Sequence, residues 1–243
     1  MGFAALSLLK GRLYATEDCA MKHILKQYGA LLATVDGWFS RSVSAAGGEI
    51  ACKEGCSGCC RGLFDITLLD ACFLKSGFDI LDETLKKNVL RKANERLAGI
   101  KAAWPEFAPP YILNHRDDRE WEQVMPEDDE APCVLLGADG RCLVYAHRPM
   151  TCRLHGLPLV DVTGEVMDDA CCSLNFVGSV GAIHELPLLR HEFIRLFEAE
   201  LSLFKLFTAK LLKQEFNELD TLIPAALLID FARFDWEGWV RGV

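Results

Sequence analysis

Apolar residues near the start of the chain return at steps of three and four. Ile24, Leu25, Tyr28, Leu31, Leu32, Val35, Trp38 and Phe39 therefore share one helical face. The spacing predicts a helix over 17–45. Thr16 is its expected N-cap, Glu17 and Asp18 place anions where the helix dipole favours them, and Gly47 and Gly48 end it. The run Leu-Phe-Asp-Ile-Thr (63–67) reads as a short strand, with Thr67 capping a helix from Leu68 to Lys75. Residues 82–103 read as a further helix, charged on one side. From Trp104 to Pro132 the pattern fails, because prolines 105, 109, 110, 126 and 132 interrupt regular structure.

Two apolar runs flank Ala138-Asp139-Gly140, so 133–145 predicts a β-hairpin. A short helical turn is expected after Arg148-Pro149, and a second hairpin turning at Thr163-Gly164. Residues 183–219 read as a long amphipathic helix whose aromatic stripe, Phe193, Phe197, Phe204 and Phe207, is expected to pack in the core. The tail, with Trp236 and Trp239, is expected to fold back on the body.

Composition narrows the function. Of 243 residues, 51% are hydrophobic and 25% charged, a globular balance rather than a disordered one. The formal net charge of −9 makes nucleic acid a poor partner, since phosphate binding wants clustered Lys and Arg. The apolar start lacks a basic n-region and a small-residue cleavage site, so it reads as a short docking segment rather than a signal peptide. Ser7 lies outside the myristoylation window. No apolar run is long enough to predict a membrane span. The acidic run Glu127-Asp128-Asp129-Glu130 reads as a solvated loop. Walker, Rossmann and HExxH patterns are absent from the sequence.

The chain has 11 cysteines, an odd number that suits a disulfide framework badly. Without a signal peptide, metal binding or redox chemistry in the cytoplasm is the expected use. Cys52, Cys56, Cys59 and Cys60 crowd one glycine-rich loop, and Cys133, Cys142, Cys152, Cys171 and Cys172 follow. Soft thiolates suit zinc and iron–sulfur clusters. Gly55 and Gly58 let the backbone turn so that Cys56 and Cys59 face one centre. Pairing across the hairpin is expected to bring Cys133 near Cys142. Adjacent side chains diverge, so Cys59 and Cys60 are unsuited to one mononuclear ion. Either one is a spare thiol or the two serve different metals, and the same holds for Cys171 and Cys172. Cys19 and Cys72, on predicted helices, read as buried small hydrophobes.

These residues carry a resemblance. Cys52-Lys-Glu-Gly-Cys56-Ser-Gly-Cys59-Cys60, then Cys133-Val-Leu-Leu, Asp139-Gly140-Arg141-Cys142-Leu-Val-Tyr145 and Arg148-Pro149-Met-Thr-Cys152-Arg153, are similar to the YkgJ-type CxxCxxCC family. The resemblance spans roughly residues 50–175 and implies chelation of zinc or of iron as an iron–sulfur cluster. A flagellin lysine methylase carries a similar motif, so the resemblance also admits protein modification. The chain departs from the pattern at Leu154-His155-Gly156, where the family tends to an aromatic residue and a proline.

Around these thiols, Arg61, Arg148 and Arg153 are candidates to hold the cofactor, and with Arg141 to offset thiolate charge. His147 and His155 are open to three roles: nitrogen ligand, acid/base, or polar loop residue. Asp65, Asp168 and Asp169 read as surface residues, and His23, His115, His184 and His191 carry no motif. The expected fold class is mainly α with a small irregular β-hairpin region, a cysteine-rich metal-binding core flanked by long helices. The expected divisions are 1–47, an N-terminal helical flank; 48–180, the metal-binding domain; and 181–243, a C-terminal helical flank packed on it. Three functions compete: an iron–sulfur or zinc protein with a redox or protein-modifying role, a zinc-stabilised interaction module, and a metal carrier. The partner expected is a protein or small molecule, not nucleic acid and not a membrane.

Overall fold

The structure, a computed structural model, describes residues 3–53, 55–115, 117, 119–120, 130–178 and 186–242, with the backbone alone for 3–18. It is mainly helical, as expected, with short strands in two small sheets. Glu127, Asp128, Asp129, Pro126, His184 and the expected helix start at 183 lie outside the described residues.

Helix α1 runs over Phe3–Ala45, so it begins well before Thr16, which is helical rather than a cap. The Thr-Glu-Asp signal is local, and the residues before it include Leu, Ala, Lys and Arg, all good helix formers. Ile24, Tyr28, Leu32, Val35 and Trp38 form the buried face, as the spacing predicted. Strand β1 (Asp65–Thr67) leads into helix α2 (Leu68–Asp79), which extends past Lys75. The Thr67 hydroxyl accepts from Asp70 N at 3.1 Å, the predicted cap. Helix α3 (Glu83–Ala103) starts at Asp82, whose carboxylate accepts from Thr84 N and Leu85 N.

The expected 133–145 hairpin shrinks to one antiparallel bridge, Leu136 with Cys142, around the turn at Gly140. A 3-10 turn over Tyr145–His147 follows, then helix α4 (Met150–Leu154). The second hairpin forms as predicted, β2 (Leu159–Asp161) against β3 (Val166–Asp168). Strand β4 (Arg190–His191) adds to β2 in parallel. Helix α5 therefore spans only Phe193–Leu212, shorter than the 183–219 expectation. Pro187 opens a 3-10 turn before β4, and Asp161 Oδ1 accepts from Ile194 N at 3.1 Å where the helix begins. Strand β5 (Asp220–Leu222) pairs antiparallel with β1, followed by α6 (Ile223–Ala226) and α7 (Trp236–Gly242).

The core forms where α1 packs on α2 and α5, with α3 joined to it through α6. Phe193, Phe204 and Phe207 are buried there, as the stripe predicted, and Trp236 packs back on the body. Trp38 donates its indole N–H to the Leu189 carbonyl at 2.9 Å and meets the Phe193 ring edge-on at 5.0 Å. Within this core lies a polar knot. The Tyr28 hydroxyl donates to Asp70 at 2.8 Å and to Glu200 at 3.1 Å, and Met150 N donates to the same Asp70 oxygen at 3.0 Å. Asp70 thus ties α1 and the start of α4 to α2, and the Tyr28 hydroxyl carries the link on to Glu200 of α5.

Candidate metal centre

All 11 cysteines are free thiols. Cys72 is buried, as expected, whereas Cys19 is exposed, which corrects the reading of it as a core residue. Cys19 lies outside the Ile24–Trp38 stripe, on a side of α1 that no described residue covers.

The loop from Cys52 to Gly62 is built of tight turns: Cys56 N donates to Lys53 O at 2.9 Å and Cys60 N to Ser57 O at 3.0 Å. Gly55 adopts φ 85°, a left-handed conformation that costs glycine little. Two later segments close on this loop. Cys133 N donates to Cys60 O at 2.8 Å, and Gly62 N to Ala131 O at 2.9 Å. At the hairpin turn, the position a side chain would take at Gly140 lies 3.5 Å from the Gly55 carbonyl oxygen.

The other side of the loop meets residues 171–176. The Asn175 amide is the hub: its nitrogen lies 3.5 Å from Cys52 Sγ and 2.7 Å from Gly156 O, and its oxygen accepts from Ala51 N at 2.9 Å. Cys172 N donates to Gly156 O at 3.1 Å, and Phe176 N to Glu49 O at 2.7 Å. Asn175 carried no sequence signal beyond lying three residues after Cys172.

Electrostatics divide the thiols. The Cys59 thiol donates to the Cys60 sulfur, which raises the pKa of Cys59 and lowers that of Cys60. Cys60 then feels the charges of Cys133, Cys152 and Cys142. Burial pushes up the thiols of Cys133, Cys142 and Cys152. Cys52 is raised by burial and by the charges of Cys56, Cys172 and Cys59, while the Asn175 hydrogen bond opposes the shift. Burial also raises Cys171, whose Sγ–H points to Gly156 O at 3.5 Å. The residues present therefore fit a soft cation in donor chemistry: half-buried sulfurs, of which Cys52, Cys59, Cys133, Cys142, Cys152 and Cys171 resist ionisation until a positive charge arrives. Among the described residues, no three His, Cys, Asp or Glu side chains already stand close enough to hold a metal ion. The hairpin register sets Cys142 opposite Leu136, and the Cys142 charge acts on the Cys133 thiol. Cys133 enters from the chain that pairs with the first loop.

The three arginines differ. Arg61 reaches Glu130, donating to its carbonyl at 3.0 Å. Arg153 is buried and spends its donors on Asp36 and on the carbonyls of Ala146 and Arg148, at 2.8 and 2.9 Å. It is a brace that holds α4 over the preceding turn. Arg148 meets Asp36 at 3.3 Å and lies over the Tyr145 ring, and its charge lowers the pKa of Cys59, Cys142 and Cys152. Its buried Nε has no hydrogen-bond partner among the described residues. Asp36, unremarked in the sequence, holds both guanidiniums.

His147 packs its ring against Phe73 and Gly77 of α2, and His155 meets Phe64 edge-on at 5.6 Å. Asp65, Asp168 and Asp169 are exposed, as expected. No helix is long and apolar enough to cross a membrane among the described residues.

Residues 51–173 match a family model described as a putative zinc- or iron-chelating domain, the CxxCxxCC family. The match covers half of the chain and takes in the loop, the hairpin turn, α4 and both Cys171 and Cys172. No curated protein and no solved structure matches the chain.

Proposed function

The chain belongs to the CxxCxxCC family, and from that premise we propose that it is a cytoplasmic metal-chelating protein whose clustered thiols take zinc, or iron as an iron–sulfur cluster. The observation that supports this reading is the convergence of four cysteine-bearing chain segments, Cys52–Cys60, Cys133–Cys142, Cys152 and Cys171–Cys172, all with free thiols. A reducing compartment keeps such thiols available. Burial disfavours the ionisation of Cys133, Cys142 and Cys152, and a bound cation supplies the charge that reverses this, so metal uptake releases protons and weakens as pH falls.

Anaerobic purification followed by elemental analysis and sulfide quantification tests the reading. Iron with sulfide identifies a cluster and opens a redox or protein-modifying role. Zinc without sulfide, whose removal unfolds the region, identifies a structural interaction module. Metal that passes to an acceptor protein identifies a carrier. A protein that holds neither metal and takes up neither from excess overturns the proposal.

A further inference from the structure

Helix α1 is more than twice the length of α5, 43 residues against 20. The two run antiparallel. Trp38 meets Phe193 at 5.0 Å between ring centroids, the Tyr28 hydroxyl meets Glu200 at 3.1 Å, and Ala20 and Ile24 share a groove with Leu206 and Lys210. Helix α5 stops at Leu212, where Lys213 turns left-handed at φ 59°. It therefore runs out beside Ala20, and the backbone of 3–18 carries α1 on past it.

The groove at that end is apolar and open. Ala20, Ile24, Leu206 and Ala209 line it between His23 and Lys210, and Leu206 is 55% exposed. The apolar stripe of α1 does not stop where α5 does. Phe3, Leu6, Lys10, Leu13, Glu17, Ala20 and Ile24 follow one another at steps of three and four, so their positions share the face that α5 covers further along. This is the two-in-seven seam by which one helix pairs with another, with one cation and one anion set into it. We infer that the seam pairs with the same seam of a second copy of the chain, two-fold and antiparallel, so that positions 3 and 6 of each copy lie along the groove of its partner.

The order of charges selects this occupant. In a parallel pair Lys10 would stand beside Lys10 and Glu17 beside Glu17, like charges in an apolar seam. Turning one copy around sets Lys10 opposite Glu17 of its partner, twice, about an axis near positions 13 and 14. The same register carries positions 3 and 6 to positions 24 and 21 of the partner, at the groove. Charge and groove thus call for one register, although neither was used to find the other. From 3 to 24 the seam is about 32 Å long at the helical rise. A two-fold contact of this kind closes on itself, so it stops at a dimer. It lies at the opposite end of α1 from Asp36, which holds Arg148 and Arg153 beside the cysteine segments. The inference therefore goes beyond the chelation reading and does not depend on it.

The test is the mass of the full-length reduced chain in solution, measured by light scattering across a concentration series with and without a chelator. The wild type is expected at twice the chain mass in both conditions. Lys10→Glu and Glu17→Lys each set like charges together and should halve that mass. The double exchange restores opposite charges and should bring the dimer back. Leu206→Glu, on α5 at the groove, should halve the mass as well. Helical circular dichroism checks that each variant folds, and Leu206→Glu decides the matter if a single exchange misfolds. A wild type that stays monomeric, a dimer indifferent to the single exchanges or to Leu206→Glu, or a double exchange that fails to restore it overturns the inference. So does a monomer that sediments with anionic vesicles, since the segment then meets a lipid surface instead. None of these results touches metal binding, which is read separately by elemental analysis.

Discussion

Along α1 and α5 the inward-facing side chains are sealed from water, Trp38, Phe193 and Phe207 among them. In the described parts of 51–64 and 130–178 the longest regular element is α4, with five residues. The body is ordered by the removal of apolar surface from water, which no ion is needed to complete. The cysteine-rich segments are ordered by turns, single bridges and one asparagine amide. The thiols of Cys133, Cys142 and Cys152 sit where burial opposes their charge. The two regions should therefore fail under different treatments.

The largest effect expected is from metal removal. A strong chelator should abolish amide-exchange protection in 131–173 while α1, α2 and α5 keep theirs; structural thiolate sites in small domains supply roughly 10 kcal/mol or more. Equal loss in both regions would erase the distinction. Next, Trp38→Ala removes a buried indole and its bond to Leu189, and should cost about 3–5 kcal/mol in denaturant melts with metal content unchanged.

The polar knot gives a pH signature centred on the body. Burial, with Glu200 nearby, raises the Asp70 pKa to about 7 from an ordinary carboxylate value, against the Tyr28 and Met150 hydrogen bonds and the Arg153 charge. A folded pKa above the unfolded one means the folded chain binds that proton more tightly. The Asp70 contribution is therefore full below about pH 4 and lost as pH rises through about 7. Asp70→Asn should flatten this fall by a few kcal/mol, read from melts across pH. An unchanged slope would remove Asp70 from the account.

The smallest effect probes the joint between the regions. A methyl at Gly77 would lie 2.4 Å from the His147 ring, so Gly77→Ala must push the 145–147 turn off α2. The expected cost is about 1–3 kcal/mol. Because Arg148 follows that turn, metal affinity should fall as well. A loss of stability with unchanged affinity would show that the regions are not coupled through this contact.

The sequence carried what local rules encode. Thr67 and the stripe Ile24–Trp38 were legible because a cap and a periodic face need no distant partner. The start of α5 was not, because its beginning depends on Asp161 and on β4 pairing with β2, contacts made across the chain. The hairpin signal at Asp139-Gly140 was right about the turn and wrong about strand length, since the chain leaves the ladder at once to reach Cys60. At the site, cysteine spacing revealed the chemistry. The roles of Asn175 and Asp36 stayed hidden, because each is set by partners more than a hundred residues away. The Tyr28–Asp70–Glu200 knot was hidden for the same reason, with Glu200 lying 172 residues from Tyr28.

The anchoring of α4 has a chronological consequence. Its docking points, Asp36 and Asp70, lie 117 residues before Arg153 and 80 before Met150. A ribosome releases them first, with α1 and α2 already able to fold when Cys152 emerges. Cys152 thus arrives at a berth prepared in advance. The sulfurs of the first loop are born early and must wait, unguarded, until the chain from Cys133 to Cys172 has been made.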